Sequence, residues 1–221
     1  MKFKQIIYTL IIAFTISCSN NKTDFELQDG DLLFQDLDCG ELCEAIEKVT
    51  TGINNADLSH IGLIIKNNNN KLVVLEAIGK NVHETDIDKF LNRNSDKQGN
   101  PKVIVGRLKS RYIKLIPLAT KYAKDLTNRP YDNVFDINNN SYYCSELIYY
   151  AFLKANNNIA FFKLFPMTFI DPETNKTFPA WTDYYNTLKC EIPEGKLGLN
   201  PGSISRSEKI EIVHYYYIIK K

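Results

Sequence analysis

The sequence predicts one α+β domain in which helices pack on a largely antiparallel sheet. Apolar, β-branched runs follow one another across short Asn-rich turns, which is typical of hairpin strands. Segments with apolar residues at helical spacing stand between and after these runs. No repeat and no Pro- or Gly-rich linker divides the body of the chain, so we expect its 221 residues to form one core.

The first half of the chain is predicted to supply most of the strands. The turn Asn67–Asn70 separates two apolar runs that are expected to pair as a hairpin. Leu42, Ile46 and Val49 have the spacing of one helix face. The elements predicted here are strands at Gly30–Phe34, His60–Lys66, Lys71–Ile78 and Asn81–Glu84, and helices at Glu41–Val49 and Asp86–Leu91.

The second half is predicted to supply the longer helices. Pro117 suits the first turn of one of them, and Arg129-Pro130 ends it. The clearest helix carries a continuous apolar stripe that includes Cys144. The elements predicted here are strands at Val103–Leu108 and Ile210–Ile219, and helices at Ile116–Leu126, Ser141–Ala155 and Ala180–Leu188.

The N-terminus has the pattern of an export signal. Two lysines precede the apolar run Ile6–Ile16, which is too short to span a bilayer comfortably. Thr15-Ile16-Ser17-Cys18 resembles a bacterial lipobox, in which the cysteine is lipidated, although Thr15 stands where Leu is most usual. An ordinary signal peptide or an uncleaved anchor is the alternative. We expect a signal peptide over 1–17, a polar tether over 18–28 and the domain over 29–221.

This N-terminus predicts a location outside the cytoplasm. A lipid on Cys18 would anchor the protein in a membrane of the cell envelope, facing the periplasm or the exterior. Such a compartment permits disulfides. Besides Cys18 and Cys144, three of the five cysteines remain, and Cys39 and Cys43 either form a bridge or are buried thiols, with Cys190 left over. Zinc would need further ligands at suitable spacing, and none are obvious, so we expect no metal.

Charge gives no argument for nucleic acid as a partner. The formal net charge is +1, and charged residues make up 24% of the chain. The short basic cluster around Lys109, Arg111 and Lys114 is mixed with apolar residues, which is typical of a solvated face.

Cys144 is the first candidate for chemistry. If Asn140 or Ser141 caps the helix, Cys144 lies in its first turn, where free backbone N–H groups and the helix dipole favour an anion. The thiolate is the nucleophilic form of cysteine, so this position favours reactivity. The alternative is a structural thiol on the apolar stripe, since cysteine is often buried.

His60 and Glu76 are the second and third candidates, because each is a polar residue in an apolar run. His60 opens a run in which it shares one strand face with Gly62, which leaves room for a packed helix end or a substrate. The hairpin places Glu76 near His60, where it could fix the tautomer of the imidazole. The alternatives are a satisfied core histidine and a carboxylate at a strand end in water. Glu146 competes for the same role, but it lies about 200° round the helix from Cys144.

These residues resemble a known family when they are taken in chain order. Gly30-Asp31-Leu32-Leu33-Phe34, Ser59-His60-Ile61-Gly62-Leu63, Leu75-Glu76-Ala77 and Tyr143-Cys144-Ser145-Glu146-Leu147 are similar to the motifs of the YiiX/YaeF-type permuted papain-like hydrolases, in the NlpC-type superfamily. In this branch the order is histidine, acidic residue, cysteine. The resemblance implies a circularly permuted papain-like fold with no metal or organic cofactor.

The resemblance also implies roles for individual residues. Cys144 would be the nucleophile, His60 the general base and later acid, and Glu76 the residue that orients His60. Further candidates for the substrate cleft are Asp31, for which a turn or capping role competes, together with Tyr142, Tyr143 and Glu146.

Three functions follow as hypotheses. The first is hydrolysis of an amide bond through an acyl-enzyme, on peptidoglycan stem peptides or related peptides near the membrane. The second keeps the covalent chemistry but transfers or hydrolyses a lipid acyl group, held by aromatic residues such as Tyr149-Tyr150, Phe161-Phe162 and Phe165. The third is a non-catalytic surface binding module.

Overall fold

The computed structural model describes residues 25–219, which form a six-stranded sheet with helices on it. The strands are β1 (Leu32–Gln35), β2 (His60–Lys66), β3 (Leu72–Ile78), β4 (Asn81–Thr85), β5 (Val103–Leu108), the short pair β6 (Phe165–Pro166) and β7 (Leu197–Gly198), and β8 (Ile210–Tyr215). The helices are α1 (Glu41–Val49), α2 (Ile87–Leu91), α3 (Ile116–Lys124), α4 (Cys144–Ala155), α5 (Pro179–Leu188) and α6 (Pro201–Ser205), with 3-10 turns at Ile53–Asn55 and Ser110–Leu115.

The large sheet has the strand order β4-β3-β2-β1-β5-β8, and every neighbouring pair is antiparallel. The expected hairpin of β2 and β3 is present, with Leu63 opposite Leu75. β2 therefore lies inside the sheet, between β3 and β1, and its first residue is His60. An inner strand is held on both sides by backbone hydrogen bonds, which makes it a rigid support for a functional side chain.

Helices cover one face of this sheet and form the main core. α4 packs on β2 and β3, and α3 packs alongside α4. Alternate strand residues such as Ile61 and Leu63 meet α4 residues such as Leu147 and Phe152 in one buried cluster. The mixed helix and antiparallel sheet architecture confirms the predicted fold class.

The other face of the sheet has a smaller core, which changes one expected boundary. Leu33, Ile64 and Phe90 are buried there, and Phe25 and Leu27 pack against them. The Phe25 ring also stacks on His214 of β8 at 4.4 Å. The tether predicted over 18–28 is therefore wrong at its end, because these apolar side chains gain burial against the sheet, and the folded domain includes residues from Phe25 onward.

A third cluster joins α1 to α5 through Ala45, Phe169, Trp181 and Tyr185. Just before and within α1, Cys39 and Cys43 form a disulfide, with their Cα atoms 5.3 Å apart. This decides between the two alternatives that the sequence left for these cysteines. Cys144 and Cys190 are free thiols, the first buried and the second exposed.

Most predicted ends lie within two residues of the observed ones, and two differ by more. The helix expected from Ser141 begins at Cys144, because the backbone N–H of Tyr142 bonds the Pro130 carbonyl at 2.9 Å and keeps this segment extended. The strand expected to Ile219 ends at Tyr215. Among the helices of residues 25–219, none has the length and apolar character needed to cross a bilayer.

Candidate active site

Cys144 is the first residue of α4, with Tyr143 as the N-cap. The predicted caps, Asn140 and Ser141, are wrong, because both residues lie upstream of Tyr143, which is the observed N-cap. Cys144 still lies where the sequence placed it, in the first turn of the helix. The N–H groups of a first turn have no acceptor within the helix, so they favour a thiolate at this position.

His60 and Glu76 meet across the hairpin of β2 and β3. The distance from His60 Nε2 to Glu76 Oε2 is 2.7 Å, and both side chains are buried. Glu76 occupies Nε2, which leaves Nδ1 for a second partner. The Cys144 thiol lies near enough to the imidazole for each group to shift the pKa of the other. The three residues that the sequence selected are thus brought together, with the imidazole between the thiol and the carboxylate.

Glu76 has more partners than the sequence indicated. The Thr85 hydroxyl donates to Oε1 at 2.6 Å. Arg93 donates through Nη1 to Oε2 at 3.0 Å and through Nη2 to Oε1. With the His60 bond, both carboxylate oxygens are saturated by donors, which compensates for the complete burial of Glu76.

The electrostatics favour an ion pair between His60 and Cys144. Burial alone would lower the pKa of His60, but hydrogen bonds and charges from Cys144 and Glu76 outweigh it and raise the pKa to about 9. Burial likewise opposes ionisation of Cys144, but the hydrogen bond and the positive charge of His60 lower the pKa of the thiol. A thiolate facing an imidazolium is the reactive state of a cysteine nucleophile.

Glu76 is held in its charged form by its neighbours. Burial would raise the pKa of this carboxyl, but the hydrogen bonds and positive charges of His60 and Arg93 hold it well below its usual range. An ionised Glu76 accepts the Nε2–H of His60 at every pH near neutrality, so it fixes the tautomer and orientation of the ring.

A cavity of about 650 Å³, including its mouth, opens beside Cys144. Its walls come from α1, α5, the β6–β7 pair and the start of α4. None of the lining side chains is Asp, Glu, Lys, Arg or His. Aromatic and aliphatic residues dominate, among them Phe135, Tyr143, Phe165, Phe169, Trp181 and Leu199. The group that enters this cavity next to the thiol therefore meets an uncharged, largely apolar surface.

Of the four further cleft candidates, only Tyr143 lines this cavity. Its hydroxyl accepts a hydrogen bond from the backbone N–H of Leu199 at 3.2 Å, which ties the start of α4 to the cavity wall. Tyr142 points elsewhere and packs edge-on against Tyr150 at 5.5 Å. Tyr142 is not among the residues of the cavity wall, and a role for it in the substrate cleft stays a prediction.

Asp31 and Glu146 have structural partners instead of a place in the cavity. Asp31 is buried and accepts two hydrogen bonds from Arg107, at 2.7 and 2.8 Å, and one from the Gln28 N–H at 2.8 Å. Glu146 accepts the backbone N–H of Tyr143 at 3.3 Å and so helps to cap α4. Burial and the negative charge of Asp132 raise the pKa of Glu146 to about 9. Neither residue lines the cavity, and a place in the substrate cleft stays a prediction for both.

Sequence reasoning missed two residues near the triad. Arg93 follows α2 in a polar loop, where charged residues are ordinary, so no pattern marked it. Tyr131 lines the cavity, and its pKa is raised first by burial and then by the negative charge of Cys144. Its position directly after Pro130, upstream of the cysteine helix, was the only available signal.

No group of three or more His, Cys, Asp and Glu side chains within residues 25–219 is arranged to hold a metal ion. The groups that can act on a substrate here are the thiol, the imidazole, and the hydrogen-bond donors around them.

The fold and the site define a class: a papain-like thiol hydrolase in which the histidine strand precedes the cysteine helix. Residues 26–214 match the family described as permuted papain-like amidase enzyme, YaeF/YiiX, C92 family. The chain belongs to this family of cysteine amidases and peptidases.

A comparison of structures agrees with this assignment at the level of the fold. The crystal structure of the metalloprotein YiiX from Escherichia coli O157:H7 is similar, with a TM-score of 0.71 and 21% sequence identity, over 88% of this chain and 100% of that chain. No curated protein matches the sequence.

Proposed function

We propose that this protein cleaves an amide bond through a triad of Cys144, His60 and Glu76. The observation that carries the proposal is the position of the His60 imidazole, which is bonded through Nε2 to Glu76 at 2.7 Å and lies close enough to the Cys144 thiol to lower its pKa. The family supports the reaction class, since its members are amidases and peptidases of the papain-like type.

The first half of the reaction forms an acyl-enzyme. The Cys144 thiolate attacks the carbonyl carbon, a C–S bond forms, and the carbonyl π electrons move to the oxygen. The oxyanion then collapses, the C–N bond breaks, and the leaving amine takes a proton from the imidazolium of His60. Glu76 keeps the Nε2–H of the ring in place while this proton leaves.

The second half restores the enzyme. Neutral His60 takes a proton from water as the water oxygen attacks the thioester carbon. The C–S bond breaks, the acid is released, and the Cys144 thiolate again faces the imidazolium. No redox partner is needed, because the reaction replaces a C–N bond by a C–O bond and no atom changes its oxidation state.

Two donors support the transient oxyanion in this proposal. The backbone N–H of Cys144 lies at the start of α4, where it has no acceptor within the helix. The Tyr131 hydroxyl is the second candidate, since burial and the Cys144 charge raise the pKa of Tyr131 and keep it protonated as a donor.

For the substrate we propose a peptide amide of the cell envelope, with peptidoglycan stem peptides or their fragments as the first candidates. The support comes from the amidase family and from the lipobox-like Cys18. The uncharged cavity adds a condition: the group seated beside the scissile carbonyl is apolar, while charged groups of the peptide lie outside it. A lipid acyl group is the second candidate, favoured by the same aromatic walls.

We also propose that Cys18 carries a lipid that anchors the protein to a membrane of the envelope. Cys18 lies outside the described residues, so the lipobox-like sequence and the folded start at Phe25 are the support. Metabolic labelling with a palmitate analogue tests this directly. Label on the wild type and on Cys190→Ala but not on Cys18→Ala is expected, and equal label on Cys18→Ala would refute the anchor.

The hydrolase proposal is tested with purified wild type and Cys144→Ala. Each is incubated with peptidoglycan, with stem peptides and with N-acyl amides of long chains, and the products are identified by mass spectrometry. Cleavage by the wild type alone supports the proposal, and the substrate that is cleaved separates the peptide from the lipid candidate. Cleavage of none, or equal cleavage by both proteins, contradicts it.

A further inference from the structure

Arg93 lies in the loop that follows α2, within a stretch of the chain where no sequence motif was found. Its guanidinium donates to both oxygens of Glu76 and stacks over the Phe90 ring at 5.0 Å. Phe90 in turn lies 6.0 Å from the His60 ring, centroid to centroid. Arg93 thus contacts the carboxylate of the triad directly and the histidine indirectly through a packed aromatic ring.

The charges alternate along one line through the site. The Cys144 thiolate, the His60 imidazolium, the Glu76 carboxylate and the Arg93 guanidinium are negative, positive, negative and positive, which sums to zero in a buried region. Without Arg93 the remaining three groups sum to one negative charge. A buried net charge is costly, and protein sites avoid it by shifting protons.

We propose that Arg93 is a positioning residue of the reaction, which acts through Glu76 and not on the substrate. Its two hydrogen bonds fix the plane of the carboxylate, and with it the Nε2–H of His60 and the direction of Nδ1 toward the thiol. Glu76 raises the pKa of His60, and the positive charge of Arg93 partly offsets this effect. The offset favours transfer of the imidazolium proton to the leaving amine. This inference rests on the proposed triad, but its test uses alkylation of Cys144 and needs no substrate.

The sign of the expected effect follows from electrostatics. Removal of a positive charge raises the pKa of every titrating group nearby, so both limbs of the pH profile of Cys144 move to higher pH. The other titratable groups next to the line of charges include Tyr131 and Tyr143, whose pKa values respond to the charge of Cys144, and His83, which lies opposite Glu76 in the pairing of β3 with β4. Tyr131 and Tyr143 have raised pKa values and stay neutral through the acid limb.

The chain offers a matched control in Arg107. It also forms a two-pronged ion pair with a buried carboxylate, that of Asp31, and its side chain is 21% exposed against 23% for Arg93. Asp31 is not part of the triad and does not line the cavity. Arg107→Met therefore breaks a comparable ion pair without touching the line of charges.

The experiment measures the rate of Cys144 alkylation by iodoacetamide against pH, in a Cys190→Ala background, with the labelled peptide identified by mass spectrometry. In Arg93→Met we expect both limbs to move upward by about one pH unit, so that alkylation on the acid limb is roughly ten times slower at a given pH. In Arg107→Met we expect the limbs of the wild type. Limbs at the wild-type pH in Arg93→Met would overturn the proposal, and so would equal shifts in both variants.

Arg93→Lys keeps the proposal testable if Arg93→Met does not fold. Lysine retains the charge but not the two-pronged geometry, so we expect the limbs of the wild type with a lower plateau rate. An unchanged plateau rate would show that the orientation of Glu76 does not depend on Arg93, which contradicts positioning. If alkylation behaves as expected while no substrate is cleaved, the proposed function fails and this inference stands.

Discussion

His60 Nε2 lies 2.7 Å from Glu76 Oε2, and both side chains are excluded from solvent. The two residues are on neighbouring strands of one hairpin, so the backbone hydrogen bonds of β2 and β3 set their separation. The contact therefore depends on the register of the sheet and not on a flexible loop. A one-residue slip would move one of the two side chains to the opposite face.

Glu76→Gln is expected to lower both stability and activity. The amide leaves the Arg93 guanidinium without a charged partner, and loss of one member of a buried ion pair costs about 3–5 kcal/mol. The amide also leaves the tautomer of His60 undefined, so we expect kcat to fall by roughly 10²–10⁴-fold. Urea unfolding and steady-state kinetics measure the two effects.

Asp31→Asn is the control for that variant. It breaks the pair of a buried carboxylate with Arg107, so it should lower stability as Glu76→Gln does. Activity per folded molecule should stay at the wild-type level. Equal losses of kcat in the two variants would mean that Glu76 has only a structural role.

The free energy of unfolding is expected to fall as pH rises through the pKa of His60. Hydrogen bonds to Cys144 and Glu76 raise this pKa from 6.5 to about 9, against the opposing effect of burial. The protonated ring therefore stabilises the fold fully below pH ~6.5, and this stabilisation is lost as pH approaches about 9. We expect the stability difference between wild type and His60→Gln to shrink across this range, measured by urea unfolding. A stability difference that stays constant across this pH range would refute the expected dependence on the protonation of His60.

Gly62→Ala is expected to disturb the packing behind His60. A Cβ atom at this position would lie 2.4 Å from Val74 Cγ1 and 3.1 Å from a ring carbon of Phe90. Overpacking of this kind costs about 1–3 kcal/mol, and displacement of Phe90 would also disturb its stacking with Arg93. Thermal unfolding and the alkylation rate of Cys144 measure the two effects. Gly79→Ala, where nothing lies within 4 Å of the added carbon but φ is +65°, adds backbone strain without a clash in the core, so it should lower the unfolding temperature and leave the alkylation rate unchanged.

The Cys39–Cys43 disulfide is expected to add modest stability. It closes a loop with a sequence separation of only 4, for which chain entropy gives about 2 kcal/mol. The double variant Cys39→Ser, Cys43→Ser should lose about this amount in urea unfolding and keep its alkylation profile at Cys144. A loss of Cys144 reactivity in the double variant would show that the bridge also supports the cavity wall formed by α1.

Cys144, His60 and Glu76 could be selected as candidates from the sequence because each is an exception to a local pattern. His60 and Glu76 are polar residues in apolar strands, and Cys144 stands at the start of a strongly apolar helix. Strand alternation also predicted the face that His60 shares with Gly62, and Phe90 of α2 packs against that face. Such inferences depend on local periodicity, which tertiary contacts here do not override.

The residues that the sequence did not reveal depend on contacts distant along the chain. Arg93 is one charged residue in a polar loop, and its role follows only from a bond to a carboxylate 17 positions earlier. The start of α4 was misplaced because the bond from Tyr142 to Pro130 competes with helix formation. Phe25 and Leu27 were assigned to the tether because isolated apolar residues show no period.

The most direct test of the central claim is capture of the acyl-enzyme. Wild type, Cys144→Ala and Cys190→Ala are mixed with a slowly hydrolysed acyl substrate, quenched in acid, and examined by intact-mass and peptide mass spectrometry. If Cys144 is the nucleophile, we expect one acyl adduct, on Cys144, in the wild type and in Cys190→Ala, and none in Cys144→Ala. Substrate turnover with no adduct on Cys144, or turnover that persists in Cys144→Ala, would contradict it.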